Sequence, residues 1–174
     1  MRRIALALVV LGAGVGNVDA GVLDRAKSTG ELRIGFRADA EPFSFKNSDG
    51  KAAGYSVDLC KAAAAEAAVK LGVAELKLVE VEVTAADRLD AIPAGKIDLL
   101  CEATTVTLSR REAADFSMPT FATGASLLYP KNGATSFDQL DGKKVGVLTG
   151  STTETGLKKA LEAAKIDATI VAVP

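Results

Sequence analysis

The sequence predicts an α/β protein that runs through the same structural pattern twice. Between Glu31 and Cys101, short apolar runs alternate with stretches of helical spacing, which is the signature of a parallel sheet with right-handed crossovers. After Phe121 the alternation starts over and continues to the last residue. Between the two lies a segment rich in hydroxyls and arginine, and that segment is where a ligand is expected.

Residues 1–20 stand apart. Arg2 and Arg3 precede an apolar run from Ile4 to Val15, and Val18-Asp19-Ala20 places small residues where a signal peptidase reads. The run is shorter than the ~20 residues of a membrane span, so a signal peptide cleaved after Ala20 is expected, with export to a periplasm or cell exterior. Val22 to Lys27 reads as an amphipathic lead-in, and Glu31 to Phe36 alternates as a first strand. Arg37 to Phe45 reads as a loop interrupted by Pro42, and Asn47-Ser48-Asp49-Gly50 as a tight turn. Gly54-Tyr55-Ser56-Val57-Asp58 introduces a helix whose buried stripe is expected at Leu59, Ala62, Ala63, Ala67 and Leu71, ending at Gly72.

Leu76 to Val83 is the expected second strand. Thr84, with Asp87 three places on, is the expected cap of a short helix stopped by Pro93-Ala94-Gly95. A buried strand then runs from Ile97 to Cys101. In the second half, strands are expected at Ala125–Tyr129, Lys144–Leu148 and Ile166–Val173, with a helical turn at Ser136–Leu140 and a helix opened by Thr149 to Glu154 and running through Ala164. A unit that stops on a strand with no covering helix leads to the expectation that residues follow Pro174.

Composition narrows the function. A formal charge of −1 and a pI near 5.6 supply no basic field for nucleic acid. Six Phe, two Tyr and no Trp leave a core of small aliphatic side chains. The two cysteines, Cys60 and Cys101, fit either a disulfide in an exported protein or two buried thiols. With no histidine in the chain they do not make a zinc site, and no metal or cofactor is expected.

The segment Cys101 to Phe121 leaves the end of a strand with four threonines, a serine ahead of Arg110 and Arg111, and a second serine at Ser117. Hydroxyls, backbone N–H groups and one guanidinium together suit a small carboxylate, and in open α/β sheets ligands lie beyond the carboxyl ends of the strands. The alternative is a polar surface loop. Gly150-Ser151-Thr152 at a helix start reads as an anion site or as a plain cap.

These pieces together resemble the type 2 periplasmic binding proteins of amino-acid ABC transporters. The matching residues are Pro42-Phe43-Ser44-Phe45, Gly54-Tyr55-Ser56-x-Asp58-Leu59, Gly95-Lys96-Ile97-Asp98, Thr104-Thr105-x-Thr107 with Arg110, Phe116-Ser117-x-Pro119, Gly142 to Val147, and Gly150-Ser151-Thr152. The resemblance implies two α/β lobes, here residues 21–124 and a partial second lobe over 125–174, closing on a free amino acid by hinge motion. It implies a membrane permease as partner, a monomer, no cofactor and no catalytic residue. Arg110 would clamp the α-carboxylate with help from Thr105 and Thr152, Tyr55 would wall the aliphatic part, and Phe43 would support that wall.

Arg37, Arg88 and the Cys-x-x-Thr-Thr pattern are similar to the glutamate/aspartate-binding members. Two arginines at the side-chain end would attract a second carboxylate and repel lysine or arginine. A solvated Arg37 and an Arg88 on a helix surface are the alternatives, with a neutral polar amino acid such as glutamine as the other ligand. Two departures stand out: Ala103 replaces a common serine, and Glu102 brings a negative charge that strand alternation from Cys101 turns outward, the alternative being a Glu102 that faces the cleft and weakens the acidic-ligand reading. An enzyme on the same fold, a prephenate or cyclohexadienyl dehydratase, would need Glu102, Asp39 or Glu41 as its acid or base.

Overall fold

The computed structural model describes residues 21–173, so the expected signal peptide lies outside the described residues. Helix α1 (Val22–Thr29) ends at Gly30, whose φ of 70° is the left-handed turn that a side chain resists, and strand β1 (Glu31–Phe36) follows at once. Three short strands come next: β2 (Asp39–Ala40), β3 (Ser44–Lys46) and β4 (Ala52–Ala53). Helix α2 (Tyr55–Leu71) then returns the chain to strand β5 (Lys77–Glu82), which pairs parallel to β1 from Glu31–Lys77 to Phe36–Glu82. Strand β6 (Leu99–Leu100) pairs parallel on the other side of β1, giving the order β5-β1-β6. The expected parallel sheet is present.

β1 is central, paired with β5 on one side and β6 on the other, and one of its faces is wholly apolar. Leu32, Ile34 and Phe36 face the helical layer, where they meet Ala26 of α1 and Val57, Ala64 and Ala68 of α2 in two adjoining clusters. On the opposite face Gly35 lies beneath Ile97; a Cβ there would come within 2.5 Å of Ile97 Cδ1, so glycine is what lets the chain before β6 close over the sheet. Asp98 locks that closure. Its carboxylate accepts from the Arg33 backbone N–H at 2.7 Å and from Arg33 Nη2 at 3.2 Å, and it pairs with Arg25.

Four expectations need correction. The buried stripe of α2 is Val57, Ala64 and Ala68, with Cys60, Ala67 and Leu71 packed partly against it, while Leu59, Ala62 and Ala63 are exposed. An alanine-rich helix offers little contrast between its faces, so the expected stripe is rotated away from the observed one. The expected loop at 37–45 contains strands, because β2, β3 and β4 pair in a small antiparallel sheet. The stretch after Thr84 is a chain of turns rather than a helix, although Thr84 and Asp87 do cap each other, with Thr84 N–H donating to Asp87 Oδ1 at 2.7 Å. Ala125–Tyr129 forms no strand, because no described segment pairs with it, and Leu128 is 98% exposed.

From Phe137 onward the second unit follows the expected order of elements. Strand β7 (Lys144–Leu148) pairs parallel to β8 (Thr169–Val173), joined by helix α3 (Thr152–Ala164). The expected helical turn is the 3₁₀ segment Phe137–Leu140. Cys60 and Cys101 are joined as a disulfide, which ties α2 to the residue just beyond β6.

Candidate functional site

Three of the expected site residues come together where the chain beyond β6 meets the start of α3. Thr105 lies beyond the end of β6, and Thr152 is the first residue of α3; their hydroxyl oxygens are 3.2 Å apart. Arg110, at the start of the 3₁₀ turn Arg110–Glu112, donates from Nη1 to the Thr105 carbonyl at 2.8 Å and from Nη2 to the Gly150 carbonyl at 3.3 Å. Its guanidinium therefore bridges the two units through neutral acceptors. Partial burial pushes its pKa down, and the neighbouring Arg88 charge pushes the same way against Glu102. An arginine stays protonated under such pressure, so a carboxylate entering here would relieve it.

The start of α3 is part of this junction. Ser151 caps the helix by accepting from the Glu154 N–H at 3.0 Å, while Glu154 Oε2 accepts from the Gly150 N–H at 2.9 Å. These two bonds cap the helix and occupy two of the donors at its start.

Tyr55 sits at the first position of α2, placed there by a tight backbone crossing. Gly54 has φ 118°, and a Cβ on it would lie 2.5 Å from the Phe43 carbonyl oxygen. The Tyr55 and Ser56 N–H groups donate to the carbonyls of Pro42 and Phe43 at 3.0 and 2.9 Å. The Tyr55 ring then meets Phe43 edge to face at 6.1 Å and Phe121 at 6.2 Å, and Phe43 meets Phe121 at 4.9 Å. Its hydroxyl donates to the Thr120 carbonyl at 2.8 Å. The aromatic wall thus has three members, and Phe121 is one that the sequence did not single out.

Arg37 and Arg88 are neither solvated nor free. Arg37 is buried, and its Nε and Nη2 donate to the two oxygens of Asp39 at 2.9 and 2.8 Å. That fork holds the Asp39 carboxyl below the usual carboxylate range. Arg88 is only 4% exposed; its Nε lies 3.0 Å from Glu102 Oε1 and donates to Thr104 Oγ1 at 3.1 Å. Because Nε carries a single hydrogen, and that hydrogen goes to Thr104, the contact with Glu102 is a charge pair without a hydrogen bond. Glu102 Oε1 is left as a buried acceptor with no donor among the described residues.

Glu102 is thus the main correction at the site. Alternation from Cys101 turns it outward, but β6 ends at Leu100, and both Cys101 and Glu102 are buried. Burial raises the Glu102 carboxyl above its ordinary pKa, against the opposing charges of Arg88, Arg37 and Arg110. A carboxylate just past a strand end, flanked by arginines distant in sequence, is the signal that could have placed it.

A parallel α/β sheet, a second α/β unit, and a hydroxyl-rich, arginine-bearing junction between them define a class: the two-lobed fold of the type 2 periplasmic binding proteins. Residues 32–173 match the bacterial extracellular solute-binding proteins, family 3, and the chain belongs to that family. It is 31% identical over 180 residues to a glutamate/aspartate import solute-binding protein of Salmonella typhimurium, covering 98% of this chain and 60% of that protein. It is also 31% identical over 166 residues to an L-cystine-binding protein of Escherichia coli (strain K12), covering 93% and 59%. Among solved structures, an ancestral amino-acid-binding protein, named as a precursor of cyclohexadienyl dehydratase, superposes with a TM-score of 0.73 at 34% identity, covering 87% of this chain and 64% of that one. The chain spans between 44% and 60% of the length of the curated relatives it matches.

Proposed function

We propose that this protein captures a free α-amino acid outside the cytoplasm, as a monomer, and delivers it to the membrane permease of an ABC transporter. In this reading residues 21–124 and 125–174 belong to two lobes that close on the ligand by hinge motion. The observation that carries it is the Arg110 guanidinium, held between the Thr105 and Gly150 carbonyls beside the paired hydroxyls of Thr105 and Thr152. It is a fixed cation, with donors around it and no carboxylate hydrogen-bonded to it among the described residues, which suits an α-carboxylate. Tyr55, with Phe43 and Phe121, walls the aliphatic part.

Glutamate or aspartate as ligand draws on Arg37 and Arg88 and on relatives named for those amino acids. A neutral polar amino acid such as glutamine is the second reading, and the pairing of Arg37 with Asp39 and of Arg88 with Glu102 favours it. Dehydratase chemistry fits less well. Both oxygens of Asp39 are engaged by Arg37, so that carboxylate is not placed as an open acid or base.

Calorimetry on the natural full-length protein against the twenty amino acids is the test. At least one α-amino acid is expected to bind, and Arg110→Ala is expected to cost about 2–5 kcal/mol, roughly 30-fold to several thousand-fold in Kd. Undiminished binding by the alanine variant would remove the clamp from the mechanism.

A further inference from the structure

Glu102 Oε1 is buried and accepts no hydrogen bond among the described residues, beside an Arg88 that is itself only 4% exposed. Native proteins leave few such groups unsatisfied, and each one invites the question of what satisfies it. Arg88 poses the complementary question. Its Nε donates to Thr104, and its two Nη groups make no hydrogen bond among the described residues. Side by side, then, stand an unused anionic acceptor and unused cationic donors. The pair adjoins the Arg110 clamp through the chain itself: Arg88 Nε holds the Thr104 hydroxyl, and the carbonyl of the next residue, Thr105, accepts from Arg110.

We propose that Arg88 and Glu102 form a carboxamide-reading pair, making this a site for amino acids with an amide side chain in preference to their acids; this rests on the amino-acid-binding reading above. A carboxamide carries one acceptor and one donor group on the same carbon. Its carbonyl accepts from an Arg88 Nη, and its NH₂ donates to Glu102 Oε1, so both unused groups are satisfied at once. A carboxylate side chain offers only acceptors. One of its oxygens can meet Arg88, but the other then faces Glu102, like charge against like charge, and Oε1 keeps no donor. A lysine or arginine side chain would satisfy Glu102 while setting a second cation against Arg88, whose Nε is already 3.0 Å from that carboxylate. An aliphatic side chain would leave both groups unmet. A site built to hydrogen-bond a ligand rejects the analogue that leaves its buried groups unpaired more strongly than an apolar pocket rejects a misfit.

The experiment is calorimetry on the natural full-length protein with L-glutamine, L-asparagine, L-glutamate and L-aspartate, then with the remaining amino acids, for wild type and Glu102→Gln. An amide is expected to bind tighter than its acid by about tenfold or more in wild type. In Glu102→Gln the ratio is expected to fall by about tenfold or more, since the introduced side-chain amide can donate to a carboxylate as well as accept. Tighter wild-type binding of an acidic, basic or aliphatic amino acid than of either amide overturns this inference and leaves the amino-acid-binding reading standing. An unchanged ratio in a Glu102→Gln protein that still binds overturns it as well. If the variant does not fold, the wild-type ratio decides alone. Failure of every α-amino acid to bind overturns the underlying reading and takes this inference with it.

Discussion

The Cys60–Cys101 disulfide is the feature whose removal has the most calculable consequence. It joins residues 41 apart in sequence, linking the second turn of α2 to the residue that follows β6. In the chain-entropy relation, closing a loop of that length destabilises the unfolded chain by about 4 kcal/mol at 25 °C. Cys101 is also packed among Ile34, Phe36 and Val57, so changing both cysteines to alanine adds the loss of buried sulfur contacts and cannot make the cost smaller. For a chain of this size each kcal/mol moves Tm by roughly 2–4 °C, so a fall of about 8–16 °C is expected. Thermal unfolding followed by far-UV circular dichroism, on the double alanine variant and on wild type with and without dithiothreitol, measures it. Mass after alkylation reports whether the bond was open. A fall of less than about 3 °C in a protein shown to lack the bond would refute the reasoning, because even the shortest loops in the entropic account give more.

Two further outcomes follow from the site. Gly54→Ala puts a Cβ 2.5 Å from the Phe43 carbonyl at a backbone φ of 118°, so a loss of roughly 1–3 kcal/mol is expected, read as Tm, with weaker ligand binding as Tyr55 is displaced; unchanged Tm would contradict the tight crossing. Glu102→Gln tests the buried carboxyl through pH. The folded state raises the Glu102 pKa by burial, so wild type has this contribution below the ordinary glutamate range and loses it as pH rises through the folded value. The variant has no such loss, and its Tm relative to wild type is expected to rise as pH increases above the ordinary glutamate range. Asp39, held low by Arg37, and Asp98, held low by Arg33 and Arg25 despite its burial, lose stability on acidification in both proteins, so their effects cancel in the difference. A difference that is flat or falls with rising pH would contradict the burial of Glu102.

The regular elements were legible because their signals are local. Gly72 and Gly50 take positive φ where the sequence places a helix end and a turn, and β1, β5, β7 and α3 fall where the apolar periodicity puts them. What escaped was set by contacts between distant residues. The face of α2 depends on which alanines the sheet covers, and alanine does not announce a face. The antiparallel sheet of β2, β3 and β4 has strands of two or three residues, too short for a period to show. Cysteine spacing leaves two readings open, and only the packing of α2 against the residue after β6 chooses between them. At the site, the grouping of Arg110, Thr105 and Thr152 came from the family resemblance that the motifs carry. The partners of Arg37 and Arg88 were not, since Glu102 lies well beyond Arg88 in sequence and its direction depends on where β6 stops.

That last dependence changes what an arginine count means. Arg37 and Arg88, taken as free cations, would choose a ligand by charge, and an acidic amino acid would follow. Paired with Asp39 and Glu102, they contribute little unopposed charge, and what remains is a fixed pattern of donors and acceptors. Charge attraction acts over several ångströms and tolerates misplacement, whereas hydrogen-bond complementarity falls away steeply with angle and distance. Discrimination by such a pattern needs side chains that cannot move. Burial of Arg88 and Glu102, the disulfide one residue before Glu102, and the Thr104 hydroxyl on Arg88 Nε all restrict that movement. The same features that remove the simple electrostatic argument for an acidic ligand are therefore the ones that would let this site distinguish an amide from an acid of nearly identical shape.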